Sequence, residues 1–269
     1  MHKHPYILFG SPPIGPIALE ALQAAGYAPT YVIDDKSLSI EDQLEIIARV
    51  KPTFFLVVGF GAIIKQVILD TVAGQVLNIH PSYLPEYRGP APVVQTILDG
   101  VQETGVTLME IDAKMDHGPI IAQEQLTLRG NEMPEELYEV LTKKGVALFL
   151  EHIEGYLDET VEGLPQNHSE ATFTHFVKKE DGRLDFSKDP VELEREIRAY
   201  HGWPRSFTTF RGKRLVVEKA HLESGNLVID LIQPEGGKIM APKDFANGLR
   251  ISPEAFTEEL FATRSGQPE

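Results

Sequence analysis

Asn78 and His80 stand two residues apart at the end of the apolar run Val76-Leu77-Asn78-Ile79-His80. On an extended strand, residues i and i+2 leave the same face, so this spacing aims an amide and an imidazole at one place. Asp116, in Met115-Asp116-His117-Gly118, adds a carboxylate between two further strand-like runs. Together these groups offer an amide donor, an imidazole that can donate or carry a proton, and a carboxylate that can take a proton or orient the histidine. A nucleophile is missing from the set: no Gly-x-Ser-x-Gly elbow surrounds Ser82, and the chain has no cysteine. The chemistry that fits is transfer of an acyl-like group to an incoming nucleophile through a tetrahedral oxyanion, with no covalent enzyme intermediate.

An Asn-x-His pair alone more often marks a satisfied structural histidine. The next twelve residues change that weighing. Pro81-Ser82-Tyr83-Leu84-Pro85-Glu86-Tyr87-Arg88-Gly89-Pro90-Ala91-Pro92 holds four prolines, so its backbone is stiff and partly stripped of donors. Such a loop holds a shape. Arg88 within it has two open readings, an anion contact or a brace for its own loop.

The elements that must position these residues alternate. Tyr6–Phe9, Tyr31–Ile33, Phe54–Val58 and Val76–His80 are apolar strand candidates, separated by helical spacing over 15–25, by a helix opened by Ser39 ahead of Asp42, and by a helix through Val67 and Leu69. Continuous apolar strands between helices predict an α/β fold, Rossmann-like, with a mostly parallel sheet covered on both faces. Ligands bind such sheets at the carboxyl ends of the strands, where Asn78 and His80 lie. Thr104–Ile111 and Ile120–Leu128 read as later strands. A long helix runs from Pro134 to about Leu157, then come a linker over 163–169 and a helix capped by Asp189 that runs to Tyr200. From Trp203 the pattern becomes strand-like, which predicts a small β-rich C-terminal domain with a turn at Arg211-Gly212-Lys213. The expected divisions are 1–175, a linker and helix over 176–202, and 203–269.

Composition narrows the classes further. A chain of 269 residues with 42% hydrophobic and 24% charged residues can build a sizeable core and is neither fibrous nor disordered. No apolar run reaches the ~20 residues of a membrane span, and none after Met1–Pro5 reads as a signal peptide, so a cytoplasmic protein with no membrane partner is expected. Without cysteine, a metal would need His and carboxylate ligands, and no such spacing is present. His2 and His4 form only a terminal His-x-His pair. Gly59-Phe60-Gly61 lacks the third glycine of a dinucleotide fingerprint, Ile64 standing in its place, so it reads as a sharp strand exit. The net charge of −15 is uneven: residues 1–200 carry 31 acids against 16 bases, whereas 201–269 carry nine of each. Arg205, Arg211, Lys213, Arg214 and Lys219 there outnumber Glu218, and this short stretch could face an anion, although solvated cations on an edge hairpin are commoner on charge alone.

The segments Leu77–Pro92, Glu103–Thr107 and Met115–Ile120 resemble the folate-dependent formyltransferase family in order, spacing and content. Further along, Gln166–Ser169, Ala171–Thr174, Glu180–Phe186, Ile197–Tyr200 with Trp203-Pro204, and Leu231–Lys238 resemble the second half of its methionyl-tRNA formyltransferase branch, where a small, OB-like β-barrel domain stands. The resemblance implies that Asn78, His80 and Asp116 are the catalytic trio and that Ser82, Tyr83, Leu84 and Pro85 lie along the folate. It implies 10-formyltetrahydrofolate as formyl donor, tetrahydrofolate as product, and initiator methionyl-tRNA as acceptor, with Arg88, Arg211, Lys213 and Arg214 as candidate acceptor contacts. This chain is a short form. Between Asp34 and Pro52 only Lys36, Arg49 and Lys51 are basic where the family carries a tRNA-reaching insertion, and only about ten residues part Val217 from Leu227. A sugar-nucleotide N-formyltransferase and a non-catalytic folate- or RNA-binding module are the alternatives; a monomer with no metal is expected. His117 reads as a packing residue and Trp203 as a core plug between helix and barrel.

Overall fold

The computed structural model describes residues 4–73 and 75–262. Two compact units divide the chain: the first takes it up to Val93, then Gln102–Arg129 and Glu135–His175, and the second takes Val94–Val101, Gly130–Pro134 and the chain from Phe176.

Six strands make the sheet of the first unit: β1 (Tyr6–Phe9), β2 (Tyr31–Ile33), β3 (Phe54–Val57), β4 (Val76–His80), β5 (Glu103–Glu110) and β6 (Ile120–Thr127). Their order is β2-β1-β3-β4-β5-β6. The first four run parallel, whereas β4 pairs antiparallel with β5 and β5 with β6. Every side chain of β1 and β3 is buried, which explains why these strands are apolar without alternation. Helix α1 (Ile14–Ala24) follows β1, and α2 (Ile40–Val50) follows β2. The Ser39 hydroxyl accepts the Asp42 N–H at 3.1 Å and so caps α2.

Helix α2 and the short α3 (Gln66–Leu69) cover the sheet face that carries Ile7, Phe9, Phe55, Val57 and Val76. Asn78 and His80 continue that face beyond the apolar part. Helix α4 (Pro92–Asp99) closes the proline-rich loop, and α5 (Pro134–Leu157) buries Leu137, Leu141, Phe149 and Ile153, with Gly145 seated against Ile79 of β4. The segment over 163–169 is not a free linker: Leu164 exchanges two backbone hydrogen bonds with Ile120, each 2.8 Å, and extends the sheet edge.

In the second unit α6 (Pro190–Ala199) is capped by Asp189, whose carboxylate accepts the Val191 N–H at 2.8 Å. An antiparallel sheet of β7 (Phe207–Phe210), β8 (Lys213–Glu223) and β9 (Asn226–Pro234) comes next, and then α7 (Pro242–Leu249) and α8 (Pro253–Phe261). Strand β8 runs on past Val217 to Glu223, so the residues before Leu227 are strand and turn. The two terminal helices depart from the β-rich tail that the strand-like pattern predicts. Their Ala246, Phe256 and Leu260 close a core with Phe210, Leu215 and Ile232, supplying apolar area that three strands alone lack. Trp203 is not a core plug. It is 59% exposed, its indole donating only a long 3.4 Å hydrogen bond to the Val177 carbonyl, while Leu184, Leu193, Ile197 and Val217 fill the space under α6.

No helix among the described residues is long and apolar enough to cross a membrane, and no group of three or more His, Asp or Glu among them is placed to hold a metal ion. His2 lies outside the described residues, which leaves the His2/His4 pair without a structural account.

Gly59 and Gly61 both adopt positive φ at the exit of β3, and a Cβ on Gly59 would fall 2.6 Å from the Cβ of Ile14. Gly59→Ala combines left-handed strain with overpacking, so a loss of about 2 to 4 kcal/mol in urea unfolding is expected. A change under about 0.5 kcal/mol would show that α1 yields freely at this point.

Candidate active site

Strand β4 ends with Asn78 half-buried and His80 buried at 5% exposure. No described group hydrogen-bonds to the Asn78 amide. The His80 ring is held at both nitrogens: Nε2 lies 3.0 Å from the Tyr87 carbonyl, and Nδ1 faces the Asp116 carboxylate at 3.6 Å. A carbonyl only accepts, so Nε2 carries a proton and donates it to Tyr87. Any second ring proton then sits on Nδ1, toward Asp116. The other oxygen of Asp116 accepts the Gly89 N–H at 2.7 Å. The three residues that the sequence singles out are therefore brought to one edge of the sheet, with His80 and Asp116 in direct electrostatic contact.

The proline-rich loop is fixed from two sides. Below it, the Thr107 hydroxyl donates to the Ser82 carbonyl at 2.7 Å and accepts the Leu84 N–H at 3.1 Å, while the Gln123 amide donates to Thr107 and to the Leu84 carbonyl. Thr107 is fully buried opposite His80 on β5. On the other side, the segment 172–174 lies along the loop: the Tyr87 N–H reaches the Thr172 hydroxyl, the Arg88 N–H the Thr172 carbonyl, and the Ala91 N–H the Thr174 hydroxyl. Gly89 has φ +114°, and a Cβ there would meet the Thr174 carbonyl at 2.7 Å, so only glycine lets 172–174 approach and leaves the Gly89 N–H for Asp116.

Within the segment expected along the folate, Ser82 and Leu84 face inward. The Ser82 hydroxyl donates to the Glu86 carbonyl at 2.7 Å and Leu84 is 1% exposed, so neither side chain is turned to a ligand. Tyr83 is 39% exposed, its ring lying over Gly105, and Pro85 is partly exposed.

Arg88 requires a correction. It is 3% exposed, which removes it from any acceptor surface. Its guanidinium donates twice to the Gln166 amide oxygen, at 3.1 and 2.5 Å, and once to Nδ1 of His168 at 2.9 Å. Burial draws the guanidinium below its ordinary pKa, and the Asp116 and Asp112 carboxylates oppose that. His117 follows a turn at 115–116 in which Asp116 adopts φ +48°. Its ring stacks on His168 at 3.8 Å, and its Nδ1 meets Asp112 at 2.6 Å. Although burial works against ionisation of Asp112, hydrogen bonds from His117 and the Lys114 N–H hold its carboxyl below the usual range.

The tail cations are only partly available. Arg211 forms two hydrogen bonds to Glu259, at 2.7 and 2.5 Å, and Arg214 stacks 3.7 Å above the Phe207 ring. Lys213 is exposed and has no ion-pair partner among the described residues.

Thr107, Gln123, Gln166, Thr172 and Thr174 hold the site without being marked by the sequence as site residues. For Thr107 a signal exists: it is a polar residue inside the apolar run Val106-Thr107-Leu108-Met109, and a buried hydroxyl must find partners.

An open α/β sheet with its polar groups gathered beyond the carboxyl ends of the parallel strands places the chain in the class of α/β enzymes that bind substrates there. A family model described as formyl transferase matches residues 17–153, and one described as formyl transferase, C-terminal domain, matches 177–226. A relative in Roseiflexus castenholzii (strain DSM 13941 / HLO8), named methionyl-tRNA formyltransferase, is 33% identical over 261 residues, covering 88% of this chain and 83% of its own. Two solved structures share the fold. Methionyl-tRNA formyltransferase from Clostridium thermocellum has a TM-score of 0.66 at 20% identity, covering 88% of this chain and 99% of its own. An N-formyltransferase from Helicobacter canadensis, solved with folinic acid and dTDP-3-aminofucose, has a TM-score of 0.64 at 21% identity, covering 89% and 99%. The chain belongs to the formyl transferase family, and it is a formyl-transferring enzyme.

Two measurements test this architecture. Thr107→Val keeps shape and leaves the Ser82 carbonyl and Leu84 N–H without that partner, so a loss of about 1 to 3 kcal/mol in chemical unfolding is expected; an unchanged midpoint would show that the loop is held without Thr107. The second is a pH dependence. Loss of water and the neighbouring His117, Arg88 and Lys114 lower the His168 pKa. The unfolded state then binds the proton more readily, so stability is full above the ordinary histidine pKa and falls as pH drops through the folded value. From about pH 7 to about pH 5, His168→Gln should lose less thermal stability than the parent; identical pH slopes would contradict this.

Proposed function

We propose that the protein transfers the formyl group of 10-formyltetrahydrofolate to the amino group of initiator methionyl-tRNA by direct attack of the amine on the formyl carbon. The observation that carries this reading is the Asn78 amide, which has no described hydrogen-bond partner and stands on the same strand face as a histidine already oriented by a carbonyl and a carboxylate. An amide on that face with no other described partner is available to donate to a ligand oxygen.

The residues present fit a folate donor. Tyr83 and Pro85 would offer an exposed ring and a partly exposed imino acid to it, while Ser82 and Leu84, bound to the protein's own groups, would hold that segment in place. The formyl donor supplies an activated one-carbon carbonyl when bound. Asn78 would donate to the formyl oxygen as negative charge gathers there, and His80, in the form that carries a proton on each ring nitrogen, would donate from Nδ1, since Nε2 is committed to Tyr87. Asp116 would keep that ring proton in place and accept the proton the ammonium must lose, passing it on to the departing folate nitrogen directly or through water.

The family relatives named methionyl-tRNA formyltransferase support the acceptor. The pairing of Arg211 with Glu259 and of Arg205 with Glu218 favours a second reading, an amino-sugar nucleotide, because it leaves few cations free for RNA phosphates on a chain of net charge −15. Incubation with 10-formyltetrahydrofolate and either Met-tRNA or an amino-sugar nucleotide decides between them. Formylation of Met-tRNA alone supports the first; formylation of the sugar alone overturns it.

Variants at the trio and on β8 test the two halves of the reaction. Asn78→Ala and His80→Ala should each lower kcat by about 10²- to 10³-fold while folded; turnover within a few-fold of the parent would sink the oxyanion assignment. Lys213→Ala with Lys219→Ala should raise KM for Met-tRNA and flatten its dependence on salt, by about 0.7 to 0.9 in the log–log slope for each phosphate no longer neutralised. An unchanged KM at every salt concentration would remove β8 from the acceptor surface.

A further inference from the structure

Gln166 is 6% exposed and belongs neither to the trio nor to the folate segment. Its orientation is fully determined. The amide oxygen accepts from Nε and Nη2 of Arg88, groups that can only donate, so the amide nitrogen must face away from the guanidinium. That nitrogen donates to two carbonyls at once, Asp116 at 3.0 Å and Gly118 at 2.8 Å. These carbonyls belong to Asp116 itself and to Gly118 two residues on, so the amide pins the chain just after the 115–116 turn in which Asp116 sits at φ +48°. Arg88 is itself held by backbone hydrogen bonds on both sides to Thr172 and Thr174, and by the His168 ring. A rigid path therefore runs from the 172–174 segment through Arg88 and Gln166 to the backbone of Asp116.

We infer that Gln166 is the positioning residue of the active site, aiming the Asp116 carboxylate at His80 by clamping the Asp116–Gly118 backbone. This rests on the reading of Asp116 as the proton-handling carboxylate. Among the described residues the Asp116 carboxylate itself accepts a hydrogen bond from Gly89, and with the backbone that carries it unclamped the 3.6 Å contact to His80 would loosen. Loss of alignment at a proton-transferring group lowers turnover and leaves binding of a distant part of the substrate intact.

Gln166→Glu separates positioning from mere bracing of Arg88. The carboxylate keeps the volume and strengthens the contact to Arg88, but its second oxygen would face the Asp116 and Gly118 carbonyls with no proton to share. If Gln166 only accepted the hydrogen bonds of a buried arginine, this variant would be as active as the parent. The expected result is a fall in kcat of about tenfold or more, with unchanged KM for 10-formyltetrahydrofolate, in a variant that still folds but melts lower than the parent because two buried carbonyls lose their donor. In an Asp116→Asn background the same change should cause no further loss. A kcat for Gln166→Glu within twofold of the parent, or a full additional loss on top of Asp116→Asn, overturns the inference. Parental turnover of Asp116→Asn by itself overturns the functional reading as well, whereas a slow Asp116→Asn beside a fast Gln166→Glu overturns the positioning role alone. Should Gln166→Glu not fold, Arg88→Lys keeps the cation and loses the two-pronged grip on the Gln166 oxygen, and the same drop in kcat at constant KM is required of it.

Discussion

The hydrogen bond from the Gly89 N–H to the Asp116 carboxylate joins two loops that leave the sheet in different directions, and the geometry of the site depends on it. One loop follows β4 and carries His80 at its base; the other links β5 to β6. An unpaired buried carboxylate would be costly, and an unpaired N–H at the tip of a proline-rich loop nearly as much, so each fixes the other. The same geometry leaves one oxygen of Asp116 toward His80, whose far nitrogen is committed to the Tyr87 carbonyl seven residues on. The loop thus binds back on the strand that launches it, and the imidazole cannot turn.

Such an arrangement demands that many polar groups be satisfied away from water. Thr107 and Gln123 answer the backbone of Ser82 and Leu84 from beneath, and residues 172–174 answer Tyr87, Arg88 and Ala91 from the outer side. Fully connected networks of this kind rigidify a site, whereas partly satisfied ones weaken it. Rigidity has a chemical use here. Oxyanion stabilisation draws its strength from donors that need no reorganisation as charge develops, and under the proposed function the half-buried Asn78 amide and the oriented His80 ring would serve as such donors.

The fold is legible in the sequence because its signal is local. Fully apolar β1 and β3, the Ser39 and Asp189 caps, and Pro134 at the head of α5 each state their element within a few residues. The tail is less so: α7 and α8 come after a hairpin whose alternation suggests continued strand, and their helical character rests on packing Phe256 and Leu260 in one core with Phe210 and Ile232. Trp203 misleads for the opposite reason, since a large aromatic beside a proline resembles a core residue, yet the turn carries it outward. Within the site, Asn78 and His80 can be paired from strand period alone. The partnership of Arg88 with Gln166 spans 78 residues, and no local pattern reveals whether an arginine in a stiff loop reaches outward or folds inward. Arg211 poses the same problem, its partner Glu259 lying 48 residues away.

A double-mutant cycle on single-turnover formyl transfer, with His80→Ala, Asp116→Asn and their combination, asks whether the imidazole and the carboxylate act as one unit at the end of β4. Groups that work only together show strongly non-additive losses. Because Asp116 would also take the ammonium proton, the double variant is expected to be slower than either single variant yet to fall short of the product of the two losses by about fivefold or more. Losses that multiply in full would contradict the coupling, because they would mean that the imidazole and the carboxylate act independently.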